Sequence, residues 1–238
     1  MWLGLIRFTG VNRMAEEVPE EGKRIFGRLK EKLIGKKQEW AAAGRGLTGK
    51  RAVPGAKLPP GQHEVKDWPV LDLGIQPEVK TISYTLTIDG AVEHPAVLSW
   101  AELMALPQRD QVSDMHCVTT WSRYDNVFRG IPAEVILALV QPKSECRHVI
   151  FHAHDDYTTN VSLEQFAQAD VMLAHTWNGQ PITREHGGPL RGMIPKLYLW
   201  KSAKWVKRIE FAAADFPGFW ETRGYNNNAD PWAEERYS

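Results

Sequence analysis

Cysteine is scarce in this chain, with only Cys117 and Cys146 among 238 residues. Two thiols cannot staple a small fold, so stability has to come from a hydrophobic core. Net charge is lacking too, with 29 Lys plus Arg against 29 Asp plus Glu. That removes the electrostatic case for nucleic acid or an anionic membrane surface as a partner. No apolar run approaches the roughly 20 residues of a membrane span. The apolar start, Met1–Gly10, is too short and poorly flanked for a secretory signal, and Met14 is an alternative start. No twin arginine stands near the N-terminus, so the expected location is cytoplasmic. No internal repeat, Gly-x-Gly-x-x-Gly, P-loop or Cys-x-x-Cys-His haem motif occurs. What remains is ordinary globular composition, 43% hydrophobic and 24% charged, enriched in tryptophan with ten. Several of these indoles are expected to wall a pocket and the rest to fill the core.

Residues 1–61 read as an N-terminal helix and an extended linker, and 62–238 as the functional domain. The helix is expected over Glu16–Ala43, with Ile25, Phe26, Leu29, Leu33 and Ile34 on one face. Its acidic start (Glu16, Glu17, Glu20, Glu21) and basic later turns (Lys30, Lys32, Lys36, Lys37) suit the helix dipole. It reads as a lead-in helix packed on the domain, with partner docking or a membrane surface as alternatives. Residues 44–61, rich in Gly, Pro and Lys, form the linker.

Thr81–Ile88 alternates, placing Ile82, Tyr84, Leu86 and Ile88 on one strand face, and Asp89-Gly90 signals a turn. Ser99 with Glu102, and Ser162 with Gln165, are capping boxes for short helices. Further strands are expected over 147–153, 157–161, 170–176, 189–194 and 204–211, with a hairpin at Asn178-Gly179. The fold class is therefore α+β, a β-rich domain of short strands with short helices. The aromatic, polar tail from Asp215 to Trp232 is expected to wrap over it.

The segment Ser113–Pro132 carries the chemistry. A strand over Gln111–His116 precedes Cys117, and Pro132 opens an apolar helix over Glu134–Val140, so the cysteine sits on a polar loop between two regular elements. His116, adjacent on the strand, faces the other way. A thiol there is a nucleophile, a metal ligand, a redox group or a small buried hydrophobe, and the residues alone leave these open. His152, His154, Asp155 and His175 form a second polar cluster. With Cys117 these histidines suggest a zinc site, since nitrogen and sulfur ligands suit zinc. Cys146 has no polar company and reads as structural.

The run His116-Cys-Val-Thr-Thr-Trp-Ser122, followed by His186-Gly-Gly-Pro-Leu-Arg191 and Pro195-Lys-Leu-Tyr-Leu-Trp-Lys-Ser-Ala-Lys204, resembles the sulfite oxidase family. The closer likeness is to its short bacterial molybdopterin-binding members, from about Trp68 to the C-terminus. The resemblance implies a sulfite-oxidase-type molybdopterin-binding fold, with molybdenum and molybdopterin as cofactors. It implies that Cys117 ligates the metal, a thiolate being the soft donor molybdenum takes. It further implies that His186, Arg191, Lys201, Ser202 and Lys204 hold the pterin and its phosphate, with His152 or His154 contacting the pterin.

In true sulfite oxidases a Gly-Asn-Arg-Arg type run follows the metal cysteine and its arginines hold sulfite. Here Val118-Thr-Thr-Trp-Ser-Arg123 leaves Arg123 as the nearby catalytic cation. The expected activity is oxygen-atom transfer to or from a small substrate, an S-oxide, N-oxide or sulfite. A separate electron-transfer partner is expected, since no haem motif is present. A Cys/His hydrolase centred on Cys117, a zinc enzyme and a metal-free binding module of the same fold are the competing readings.

Overall fold

A computed structural model describes the backbone of residues 20–238 and the side chains from Gly27 onward. The readings made on Met1–Gly10, Met14, Glu16, Glu17 and the side chains of Glu20, Glu21, Ile25 and Phe26 lie outside those residues.

Alternating apolar positions build two sheets. The first is centred on β5 (Trp121–Pro132), which pairs with β4 (Arg109–His116), with the short β1 (His63–Glu64) and with β8 (Met172–Trp177). Strand β8 carries β9 (Gln180–Pro181) and β10 (Arg191–Met193). The second sheet runs in the order β3 (Ala96–Ser99), β2 (Thr85–Gly90), β11 (Val206–Ala212), β6 (His148–Ala153) and β7 (Thr158–Ser162). In it β2 and β11 are parallel and the other pairs antiparallel. Leu86, Ile88, Val149, Phe151, Ile209 and Phe211 bury its inner face. The short helices α2 (Trp100–Ala105), α3 (Ala133–Val140) and α4 (Leu163–Phe166) follow strands directly. Both expected capping boxes form, Ser99 with Glu102 and Ser162 with Gln165. Mixed sheets with short helices are the expected α+β architecture.

Three local readings change. The stretch after Cys117 is not a loop leading to a helix. Only residues 117–120 turn, and the 12-residue strand β5 follows, ending in Pro132 just before α3. Its period was hidden because two inward positions are polar. Ser122 and Asn126 are fully buried, and Asn126 donates to the carbonyls of Ser113 and Arg123 at 3.0 and 2.9 Å. Ile82 is 95% exposed, because residues 81–83 coil into a 3-10 turn and the strand period begins only at Thr85.

The N-terminal helix α1 (Glu20–Ala42) buries only Ile34 of its expected apolar stripe among the described side chains. Leu29 and Leu33 are 52% and 43% exposed. Lys30, Ile34, Lys37 and Ala41, spaced four, three and four apart, line the face turned to the domain. Long lysine stems cover aromatic surface while their ammonium groups meet ring faces. Lys30 lies 5.9 Å from the Phe219 ring and Lys37 lies 5.8 Å from that of Trp220. The C-terminal tail is ordered over the domain as expected, with Tyr225, Ala229 and Arg236 buried.

Candidate cofactor cleft

The 117–120 turn, the segment 68–73, residues 199–205, α1 and the tail surround a cleft with about 910 Å³ of empty space, its mouth included. The turn is tight: Cys117 N–H donates to Trp121 O at 2.8 Å, and Thr120 N–H donates to Cys117 O at 3.1 Å. Two outside groups pin it. Gln62 Nε2 donates to Cys117 O at 3.0 Å, and the buried Arg236 donates to Val118 O at 2.6 Å. Cys117 is buried at the cleft wall, its Sγ 3.1 Å from Thr119 Oγ1. Burial pushes the thiol's pKa up, while the Thr119 hydrogen bonds and the charges of Lys37 and Arg236 pull it back. A buried sulfur of this kind takes a proton or a metal, since a bare thiolate is costly to bury.

A cationic pole shares the same cleft. Arg191 is fully buried and donates to the carbonyls of His186 (2.7 Å) and Ser202 (2.9 Å). Lys204 Nζ donates to the carbonyls of Leu71 (2.8 Å) and Glu185 (2.6 Å). Neither has a carboxylate in ion-pair contact among the described residues. Burial lowers Arg191 to about 9, and burial with the Arg191 charge lowers Lys204 to about 8. Burial, Arg191 and Lys204 hold His186 down at about 4. A buried and a half-buried cation hydrogen-bonded to carbonyls, with Asp72 and Asp155 acting on Lys204 without ion-pair contact, leave positive charge that a bound anion relieves.

Trp68 floors this pole. Its ring stacks on His186 at 4.2 Å, 9° from parallel, with the Arg191 guanidinium 5.0 Å from its centroid. The Ser202 hydroxyl accepts from Ile194 N–H at 3.0 Å and retains its own hydrogen for a ligand. Trp121 lines the cleft with a buried indole N–H that has no acceptor among the described residues. The donor set therefore fits a group with an anionic end and a soft-metal end. The two glycines serve protein packing instead of ligand approach. A Cβ on Gly187 would stand 2.7 Å from Lys204 Cβ, and one on Gly188 would stand 1.9 Å from Ile182 O.

Cys117, His186, Arg191, Ser202 and Lys204 are thus brought together, and four other expected site residues are not. Lys201 is fully buried away from the cleft, paired with Glu221 at 2.7 Å and donating to Asn160 O at 2.8 Å. His152 lies on the outer face of β6, with Phe151 and Ala153 on the inner one, and His154 falls in the turn just past the strand. His152 instead meets Glu210 at 2.8 Å across the sheet, and the His154 ring tilts against Tyr84 at 6.1 Å. Arg123 donates to Lys66 O at 3.0 Å and lies 4.8 Å from the Trp177 ring, outside the cleft lining. His116 faces Ser122 at 2.8 Å, and His175 bonds Gln108 at 3.0 Å. Among the described residues no three His, Cys, Asp or Glu side chains converge on a metal site, so the histidine-cysteine zinc arrangement is not formed.

Residue-level reading missed Lys37, Trp68, Trp205, Tyr225 and Arg236. The tryptophan excess was the one available signal, and Trp68, Trp121, Trp200, Trp205 and Trp220 do wall the cleft.

Comparison with known proteins shows the family. A family model, the oxidoreductase molybdopterin binding domain, matches residues 73–220. The chain is 42% identical over 183 residues to the uncharacterized oxidoreductase YuiH of Bacillus subtilis, covering 76% of this chain and 92% of that protein. It is 31% identical over 150 residues to the putative protein-methionine-sulfoxide reductase subunit YedZ1 of Azospira oryzae, covering 63% and 56%. Against the sulfite oxidase of Arabidopsis thaliana it is 28% identical, covering 60% and 45%. It therefore spans about half the length of those two relatives. The sulfane dehydrogenase SoxCD of Paracoccus pantotrophus has a similar fold, with a TM-score of 0.54 at 23% identity, covering 58% of this chain and 40% of that one. The family model covers most of the chain, and the 42% identical relative extends over three quarters of it. The chain belongs to the oxidoreductase family with a molybdopterin-binding domain and is a molybdenum–molybdopterin oxidoreductase.

Proposed function

We propose that the favoured reaction is removal of an oxygen atom from an organic S-oxide or N-oxide, with sulfite a poor substrate. In this reading Cys117 is the metal's protein ligand, and His186, Arg191, Ser202 and Lys204 hold the pterin and its phosphate end. Lys201, His152, His154 and Arg123 have no part in it.

The bound cofactor supplies a two-electron redox centre at which oxygen is exchanged. The chain supplies the surroundings. Cys117 gives a soft sulfur donor, with the Thr119 hydroxyl beside it at 3.1 Å. Trp121, Trp200, Trp220 and Tyr225 give apolar walls that exclude water. The overall balance takes two electrons and two protons, breaking the sulfur–oxygen bond of a sulfoxide to give the sulfide and water. A separate carrier delivers the electrons.

The observation that carries this reading is the placement of Arg123. Sulfite is a compact dianion near neutral pH, and a tight site for it needs at least two converging cations. Arg123 is turned outward onto Trp177, and Arg236 donates to the carbonyls of Val118 and Pro60. Lys37 is then the one cleft-lining cation close to the Cys117 wall among the described residues. Aromatic walls with so little charge suit a larger, less charged oxide.

The test is steady-state kcat/KM for sulfite oxidation with an electron acceptor, against methionine sulfoxide and a panel of S- and N-oxides with a reduced dye. The oxides should win, and Cys117→Ser should remove the activity while the chain stays folded. Sulfite turned over with a micromolar KM, while every oxide fails, would reverse the assignment.

A further inference from the structure

Lys37 belongs to a helix outside residues 73–220, the span the family model matches, yet its side chain lines the cleft. It is half-buried, with its ammonium group 5.2 Å from the Trp40 ring and 5.8 Å from that of Trp220. Trp220 in turn packs on Tyr225 at 5.0 Å, and Tyr225 meets Trp200 edge-on at 5.1 Å. Among the described residues no carboxylate or carbonyl accepts a hydrogen bond from Lys37. Indole faces attract a cation but leave its N–H donors unspent. Desolvation without an acceptor is costly for an ammonium group.

The cleft's cations fall into two sets. Arg191 and Lys204 are hydrogen-bonded to the carbonyls of His186 and Glu185, beside the Trp68 ring, whereas Lys37 stands over Trp220 on the side lined by α1 and the tail. A cofactor gripped at the first set and at Cys117 leaves the Lys37 end, with Trp200, Trp220 and Tyr225, for the substrate.

From this we propose that Lys37 is a specificity-determining residue that hydrogen-bonds an anionic group on the substrate, so that the preferred oxide is an organic molecule with an apolar body and one negative charge. This rests on the oxide-reduction reading above. The cation enters from α1, so substrate choice is set by a segment outside the residues the family model matches and not by the turn after the metal cysteine.

The test uses holoenzyme of wild type, Lys37→Met and Lys37→Arg. Calorimetry on the oxidised enzyme compares methylsulfonylacetate, an anionic sulfone, with neutral dimethyl sulfone. Turnover compares methylsulfinylacetate with dimethyl sulfoxide under a reduced dye. The wild type should prefer the anionic member of each pair. Lys37→Met should cut that preference about tenfold or more, the worth of one charge-assisted hydrogen bond. Lys37→Arg should restore most of it, and the molybdenum-to-protein ratio should match in all three. No anionic preference in wild-type calorimetry, or equal loss for both probes, would overturn the proposal. So would loss of molybdenum in Lys37→Met, which would make Lys37 a cofactor ligand. Failure of both oxides to turn over, with calorimetric discrimination intact, would sink oxide reduction and leave the Lys37 assignment standing.

Discussion

At the residue scale the cleft depends on cations with no carboxylate in ion-pair contact among the described residues. Lys204, half-buried, is held at about 8 against an ordinary 10.5 by burial and by Arg191, with Asp72, Asp155 and Glu185 pulling the other way. Its folded value lies below its unfolded one. Between about pH 8 and 10.5 the unfolded chain therefore carries a proton that the cofactor-free protein has shed, and stability rises with pH in that window. Anion binding has the opposite sense, because it needs the charged form. With inorganic sulfate as probe, whose charge does not change over this range, affinity for the cofactor-free protein should fall about tenfold from pH 7 to 9.5. Lys204→Met should weaken the pH dependence of both the calorimetric affinity and Tm between about pH 8 and 9, leaving above it the part carried by Arg191, held at about 9. A pH-independent sulfate affinity in the unmutated protein would show that the pole is solvated.

At the element scale the segment 199–205 and the tail are clamped by a buried ion pair. Lys201 and Glu221 have side chains 0% and 1% exposed, 2.7 Å apart. Glu221 also accepts from Thr159 (2.9 Å) and Trp200 (3.0 Å). The Lys-Ser-Ala-Lys run thus divides its labour: Lys204 faces the cleft and Lys201 holds Trp200 and the tail in place around it. Removing one partner leaves the other charge buried and unpaired, so Lys201→Met should cost about 3–5 kcal/mol in urea unfolding. The double variant Lys201→Met with Glu221→Met should recover much of that, since apolar pairs of similar volume often replace buried ion pairs without loss. If the single variant unfolds like the wild type, the clamp is decorative.

On the scale of the whole molecule, three distant parts of the chain meet beneath the Cys117 turn. Arg236, two residues from the end of the described chain, donates to Val118 O at 2.6 Å and to Pro60 O at 3.2 Å and lies 5.0 Å from the Tyr198 ring. Arg236→Met removes two charged donors, each worth about 1.5–3 kcal/mol to stability, and should free the Cys117 turn. The expected result is a loss of about 3 kcal/mol or more in denaturant unfolding. In cofactor-free protein, alkylation of Cys117 should also become faster relative to Cys146, as read by mass spectrometry. Unchanged alkylation at reduced stability would mean that the turn holds its shape without the tail.

The sequence by itself determined the parts whose physics is local. Capping boxes at Ser99 and Ser162 and the Asn178-Gly179 hairpin involve neighbours a few residues apart, and all three form. Around Cys117, His186 and Lys204 the residue types alone left several chemistries open, and it was the likeness of the longer motifs to a known family that pointed to a soft metal ligand and an anion clamp. Tertiary structure decided everything that depends on which way a side chain turns. Strand β5 was hidden because Ser122 and Asn126 face inward, where His116 and the Ser113 carbonyl on the neighbouring strand help satisfy them. Lys201 and Lys204, three residues apart, went to opposite uses because Glu221 and Asn160 stand on one side and the cleft on the other. Arg123 was lost to the site by the pull of Trp177 and Lys66 O. Lys37 entered it because α1 packs through Lys30, Ile34 and Ala41, a face of which hydrophobic periodicity marks only Ile34. A charge's partner is fixed by distance in space, and no pattern along the chain encodes that distance.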